Sequence, residues 1–122
     1  MKHMAGITLI LLALALTAAP AWAADLEGTY DCAGTNPGGG AYTGTVSIIK
    51  NGDNYTVTWH IGAQTYLGVG LRQGDTFSVG YADTGKAWFG IVVYQVKDRT
   101  LSGVWAMQGN GKNGTETLTR RK

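Results

Sequence analysis

The sequence is poor in the residues that usually build metal sites and disulfides. It contains one cysteine, Cys32, and two histidines among 122 residues. A single cysteine cannot form an intramolecular disulfide, so the stability of the fold must come from its core. Cys32 shares a face with Tyr30 in an alternating segment, which favours a small buried hydrophobe over a reactive thiol. His60 alternates outward with threonines, and a lone exposed histidine is neither a metal cluster nor the centre of a catalytic triad.

Charge is also scarce, because charged residues make up 15% of the chain and the formal net charge is +2. So small an excess is not the footprint of a protein that binds nucleic acid or an anionic membrane. No two carboxylates are evidently paired across a cleft in the manner of a glycosidase. We therefore predict that the protein is not an enzyme, and that it has no catalytic residues, no metal site and no cofactor.

Long apolar runs are confined to the N-terminus. Residues 7–19 are almost wholly apolar, and Ala21 and Ala23 supply the small residues that a signal peptidase reads. The run is short for a membrane span, and no second candidate follows it. We predict a signal peptide over residues 1–23, a single β-barrel domain over residues 24–122, and a periplasmic or secreted protein with no membrane span after cleavage.

No segment has the 3.6-residue period of a helix, whereas period-two alternation recurs along the chain. Residues 42–59 are the clearest example, with aromatic and β-branched residues alternating with threonine and serine on both sides of Asn51-Gly52-Asp53, a tight-turn sequence. Later segments repeat this plan, with turns every ~8–12 residues and glycines within strands that indicate curvature. We predict an all-β fold: an eight-stranded antiparallel up-and-down meander closed into a small barrel, with a β-sandwich as the alternative.

Alternate connections of a meander lie at the same end, so the glycine-rich loops at 34–40 and 108–114 should share one mouth. Inward-facing aromatic residues fall at the strand ends nearest that mouth, and Glu116 begins the last strand there. An eight-stranded barrel either fills its interior or holds one small ligand. The predicted ligand-binding residues are Tyr42, Trp59, Tyr66, Trp105 and Glu116. The alternative is a filled barrel in which Glu116 accepts hydrogen bonds from tyrosine and tryptophan.

The outward faces of the fourth to seventh strands carry apolar residues where polar ones are expected. These strands are neighbours in a meander, so their apolar side chains could merge into one patch. Patches of this kind often mark surfaces for a partner or for self-association. The predicted interface residues are Leu67, Val69, Ile91, Val93 and Val104.

Several motifs, spread over nearly the whole chain after the leader, resemble those of one family. They include Gly34-Thr-Asn-Pro-Gly, Tyr42-x-Gly44-x-Val46, Val57-Thr-Trp59-x-Ile61-Gly62, Thr65-Tyr66-x-Gly68-x-Gly70, Leu101-x-Gly103-x-Trp105-Ala106 and Gly114-Thr-Glu116-x-Leu118. In these motifs the chain resembles the small exported proteobacterial proteins labelled fibronectin-binding protein. The resemblance implies adhesion to host matrix and specifies no binding residues. Leu67 and Val69 stand where that family has threonines, which makes the outer face of this chain more apolar.

The function that these patterns favour is a non-catalytic exported binding module. Its partner would be a small ligand at the glycine-rich mouth or, as in an adhesin, an extracellular matrix protein. Two alternatives stay open: a structural or self-associating envelope protein with a filled barrel, and a small inhibitor of a cell-wall hydrolase.

Overall fold

The computed structural model describes residues 25–122, so the predicted leader at residues 1–23 lies outside the described residues. These residues form eight strands in chain order: β1(Gly28–Thr35), β2(Ala41–Asn51), β3(Asn54–Ile61), β4(Gln64–Gln73), β5(Thr76–Asp83), β6(Phe89–Lys97), β7(Thr100–Met107) and β8(Gly114–Arg120). Between residues 25 and 122 there is no helix with the length and apolar character needed to cross a membrane.

Each strand pairs antiparallel with the next, and β1 also pairs with β8, which closes the sheet into a barrel. The predicted up-and-down barrel is therefore confirmed, and the β-sandwich alternative is wrong. Closure leaves no row of unpaired backbone N–H and C=O groups along a sheet edge. The pairing of β1 with β8 places Gly34 opposite Glu116 and Cys32 opposite Leu118.

Three short turns, at 52–53, 74–75 and 98–99, lie at one end of the barrel, which we call the closed end. Their positive backbone angles, with φ of 62° at Gly52, 60° at Gly74 and 57° at Asp98, are those of tight hairpin turns that match the twist of the strands.

The remaining connections lie at the opposite end, which we call the mouth. They are residues 36–40, 62–63, 84–88 and 108–113. The two glycine-rich loops share this end, as the meander predicts.

The core is formed by the inward-facing side chains of all eight strands. Tyr30 and Cys32 are buried in it, as the alternation predicts. Burial raises the pKa of the Cys32 thiol, and the nearby charge of Glu116 raises it further. The thiol is therefore not a reactive nucleophile at neutral pH.

In four pairs, the ring of an inward-facing aromatic residue lies against the glycine directly across the ladder. The pairs are Tyr42 with Gly34, Tyr81 with Gly90, Tyr94 with Gly103, and Trp105 with Gly114. A Cβ atom on Gly103 would lie 2.6 Å from the Tyr94 ring, and a Cβ on each of the other three glycines would also collide with the facing ring. The glycines therefore leave room for rings to lie against the backbone, in addition to allowing the sheet to bend.

Candidate functional site

A cavity of about 510 Å³ lies at the mouth of the barrel. This volume falls within the range of roughly 300–1,000 Å³ that is usual for small-molecule sites. All five residues that the sequence predicts as ligand-binding contribute to its lining: Tyr42, Trp59, Tyr66, Trp105 and Glu116. The interior is thus filled toward the closed end and open at the mouth.

Glu116 is buried, with 5% of its surface exposed. Its Oε1 accepts a hydrogen bond from the Tyr42 hydroxyl at 2.8 Å, and its Oε2 accepts one from Trp59 Nε1 at 2.9 Å. The Tyr94 hydroxyl also donates to Oε2. A buried carboxylate requires donors of this kind to offset its lost hydration. The protein itself supplies them, as the filled-barrel alternative predicts for this residue.

Sequence reasoning missed Tyr94 as a partner of Glu116. Strand β6 is apolar on both faces, so its alternation does not separate inside from outside. The available signal was parity, because Tyr94 lies between Val92 and Val96, and an inward Val96 requires an inward Tyr94. In the structure Tyr94 is fully buried.

The phenols around Glu116 are held in their protonated form. Burial raises the pKa values of Tyr42 and Tyr94, and the negative charge of Glu116 raises both further. The same two causes raise the pKa of Tyr81 to about 12. These hydroxyls therefore remain hydrogen-bond donors at neutral pH, and the Tyr81 hydroxyl donates to the carbonyl of Ala106 at 3.1 Å.

We call Tyr42, Trp59, Trp105 and Glu116 the Glu116 wall of the cavity; Tyr94 does not line the cavity and supports this wall through its hydrogen bond to Glu116. The opposite part of the cavity lining, which we call the Asp83 wall, comes from the ends of β4 and β5 and the connection that precedes β6. Its members are Gln64, Tyr66, Tyr81, Asp83, Lys86 and Trp88.

Three aromatic rings of the Asp83 wall contact one another. Their centroids lie 6.4 Å apart for Tyr66–Tyr81, 6.0 Å for Tyr66–Trp88 and 5.9 Å for Tyr81–Trp88. Asp83 stands opposite Tyr66 in the pairing of β4 with β5. Burial raises the pKa of Tyr66, and the charge of Asp83 adds to that effect.

Asp83 is the second site residue that sequence reasoning missed. The run Ala82-Asp-Thr-Gly-Lys86 predicts a loop, but its first two residues continue strand β5. Asp83 keeps the inward parity of Val79 and Tyr81, and β5 extends through it. Its buried position, with 8% of its surface exposed, follows from that parity.

Outside the cavity, the described residues offer no cluster of ligating side chains. His60 is exposed, as the alternation predicts, and its Nδ1 lies 3.4 Å from the Thr65 hydroxyl. Within residues 25–122, no group of three or more His, Cys, Asp or Glu side chains could hold a metal ion.

The predicted interface residues lie together on the outside of β4, β6 and β7. With two neighbours they form the outer apolar face, whose side chains are 38–62% exposed: Leu67, Val69, Leu71, Phe89, Ile91, Val93 and Val104. The register sets Val69 beside Gly80 and Gly80 beside Ile91. Apolar ridges on β4 and β6 therefore flank a trough of small residues on β5.

No protein-family model and no curated protein matches the chain. Among solved structures, the fold is similar to mFAP1, a redesigned beta barrel bound to DFHBI, with a TM-score of 0.64 and 18% identity over 78% of this chain and 94% of that one. It is also similar to a de novo designed fluorescence-activating beta barrel, with a TM-score of 0.61 and 12% identity over 79% of this chain and 94% of that one. A third similar structure is the REP1-NXSQ fatty acid transporter, with a TM-score of 0.55 and 16% identity over 81% of this chain and 98% of that one. At such low identity the similarity establishes the fold alone, which is a closed antiparallel β-barrel.

Proposed function

We propose that this protein is a non-catalytic binding module that takes one small organic molecule into the cavity at its mouth. The observation that carries the proposal is an open cavity of about 510 Å³ bordered by a hydrogen-bond network that is complete without a ligand. Because protein donors already satisfy Glu116, its aromatic partners are fixed before a ligand arrives. Binding to a preorganised site loses less conformational entropy than binding to a mobile one.

The cavity lining suits an apolar or aromatic body. Tyr42 and Trp105 contact each other in an edge-to-face arrangement at 6.4 Å, and Tyr66 and Trp88 form a tilted pair at 6.0 Å. Aromatic side chains offer a large contact area with few rotatable bonds. A barrel of similar fold is described as bound to DFHBI and another as a fatty acid transporter, which supports small-ligand binding by analogy of fold.

The tryptophans provide a direct test. Of the four in the chain, Trp22 lies in the predicted leader, and Trp59, Trp88 and Trp105 all line the cavity. The fluorescence of residues 24–122 therefore reports on the cavity alone. We expect screening of small organic molecules to find compounds that change this fluorescence and raise the melting temperature.

A matched pair of variants locates the binding. Trp88→Ala removes a ring from the cavity lining, whereas Phe89→Ala removes the next ring, which faces outward. We expect Trp88→Ala to weaken binding by about 5- to 30-fold, which corresponds to the loss of a ring contact worth ~1–2 kcal/mol, and Phe89→Ala to leave it unchanged. A screen without any binder would refute the proposal. Fibronectin binding unaffected by Trp88→Ala would instead support the adhesin-like function.

We also propose that the protein acts in the periplasm or outside the cell, because residues 1–23 have the pattern of a cleaved signal peptide. Intact-mass measurement of the exported protein should show a chain beginning at Ala24. A periplasmic product beginning at Met1 would contradict this.

A second function is proposed for the outer apolar face, which is weak association with a second copy of the chain. Its ridges and trough are complementary to themselves, and the outward positions of β4–β7 within it carry no charge. Four strands and three rows of side chains cover roughly 400 Å². A stable dimer buries about 800 Å² per partner, so we expect association only at high concentration.

A further inference from the structure

Asp83 has unused hydrogen-bonding capacity inside the cavity. Its Oδ1 accepts a hydrogen bond from the backbone N–H of Gly85 at 2.9 Å. Its Oδ2 has no donor within the described part of the chain, and no salt bridge involves Asp83 there. Asp83 is a buried residue, with only 8% of its surface exposed, and it lines the cavity. No buried side-chain oxygen in the described residues lacks a partner, so Oδ2 is open to the cavity, where a ligand that supplies a donor can reach it.

The charges around the cavity favour a cation. Asp83 and Glu116 are both buried and acidic, whereas Lys86 is the one basic residue in the lining and is exposed. An exposed lysine is hydrated and screened by salt, so it does little to neutralise the interior. The tyrosines contribute no charge, since their raised pKa values keep them protonated. The interior of the cavity therefore carries a negative potential.

Aromatic rings stand beside the same carboxylate. Tyr66 faces Asp83 across the ladder, and Tyr66, Tyr81 and Trp88 contact one another. The faces of such rings attract cations placed within about 6 Å of their centroids. A carboxylate with a free oxygen next to aromatic rings is the combination that holds an ammonium group.

We infer that the ligand of the cavity is an organic cation, a small molecule that carries an ammonium group on an apolar body. The inference rests on the proposed function and specifies its ligand. The ammonium group would donate to Oδ2 of Asp83, and the apolar body would contact the side chains around Val92 and Trp105. An anionic ligand such as a fatty acid would instead meet two buried carboxylates.

Three probes with one body and different charges test this: phenylbutylammonium, phenylbutanol and phenylbutanoate. Titration of each into the protein, followed by tryptophan fluorescence and calorimetry, gives three dissociation constants. We expect the ammonium compound to bind about tenfold more tightly than the alcohol, and the alcohol more tightly than the carboxylate. Added salt should weaken binding of the ammonium compound and leave the alcohol unchanged.

Asp83→Asn removes the charge but keeps a side-chain oxygen for the amide of Gly85. In this variant we expect most of the difference in affinity between the ammonium compound and the alcohol to disappear, while the affinity for the alcohol stays within about threefold of its wild-type value. Asp53→Asn makes the same change in an exposed turn at the closed end and should have no effect. The comparison of the three probes and its salt dependence in the wild-type protein stand even if Asp83→Asn does not fold.

The possible results separate this inference from the proposed function. Equal affinities for the three probes, or tightest binding of the carboxylate, would overturn the cation and leave small-ligand binding intact. If none of the three binds and the wider screen yields a ligand, a neutral or anionic ligand refutes the inference and a cationic one supports it. If neither experiment finds any ligand, both proposals are wrong.

Discussion

The mouth of the barrel contains two buried carboxylates that the protein treats differently. Glu116 accepts hydrogen bonds from three side chains on three strands, whereas Asp83 accepts one from the amide of Gly85. The two carboxylates are buried to a similar extent, so burial does not distinguish their roles. The number of protein donors does, because a carboxylate saturated by its own chain supports the structure, and one with a free oxygen is available to a ligand.

The largest expected effect concerns the rigidity of the Glu116 wall. In Gly103→Ala the new Cβ would lie 2.6 Å from the ring of Tyr94, which is fully buried and bonded to Glu116 and so has no room to move. We expect a loss of about 3 kcal/mol in the free energy of unfolding, measured by urea denaturation. Gly80→Ala is the control, since nothing lies within 4 Å of its Cβ, and it should change stability by less than ~1 kcal/mol. Equal effects would show that the wall is not rigid.

The next prediction compares the two carboxylates directly. Glu116→Gln replaces charge-assisted hydrogen bonds with neutral ones and brings an amide donor toward the donors that converge on this site. We expect it to cost about 1–3 kcal/mol of stability.

Asp83→Asn keeps its single protein contact and should cost less than about 1 kcal/mol. Thermal and urea melts of the two variants without ligand measure both values. If Asp83→Asn proves the more destabilising, the assignment of roles to the two walls is wrong.

The raised pKa of Tyr81, which lines the cavity, predicts how the stability of the barrel changes with pH. The phenol of Tyr81 ionises at the ordinary value of 10.0 in the unfolded chain and at about 12 in the folded one. Between these values the unfolded state binds fewer protons than the folded state. The contribution of Tyr81 to stability is therefore complete below pH 10 and is lost as the pH rises toward 12. Near-ultraviolet absorbance of tyrosinate, recorded alongside unfolding, follows this loss.

The same titration distinguishes residues near Glu116 from those remote from it. The charge of Glu116 contributes to the raised pKa of Tyr81, whereas Tyr30 is raised by burial with no contribution from Glu116. Glu116→Gln should therefore lower the pKa of Tyr81 and leave that of Tyr30 unchanged. Identical shifts at both residues would point to general loosening of the barrel.

The smallest expected effect lies outside the mouth, on the outer apolar face. Val69→Thr should reduce self-association at high protein concentration, measured by sedimentation, and leave ligand binding unchanged. Ile49→Thr makes a similar change at a side chain that is 56% exposed but lies on β2, away from that face. A monomer at every concentration, in all three proteins, would exclude self-association.

The fold was predictable because period-two alternation determines which side chains face inward, and the Asn51-Gly52 turn determines one hairpin. The same rule placed Tyr42, Trp59 and Glu116 on the inner face. It failed where the pattern was ambiguous: β6 is apolar on both faces, which hid Tyr94, and the residues that follow Asp83 resemble a loop. The pairing of a ring with a glycine depends on the register of the strands, and the sequence leaves that register open where a long loop joins them, as it does between Trp105 and Gly114.

The glycine and ring pairs also constrain how this chain can change over time. At Trp105 and Gly114, a side chain on the glycine collides with the indole, and a smaller residue in place of the indole uncovers bare backbone. Each single substitution is therefore penalised until the other follows, which couples the two positions. Distant relatives should show these pairs exchanged together, even where the rest of the sequence has diverged beyond recognition.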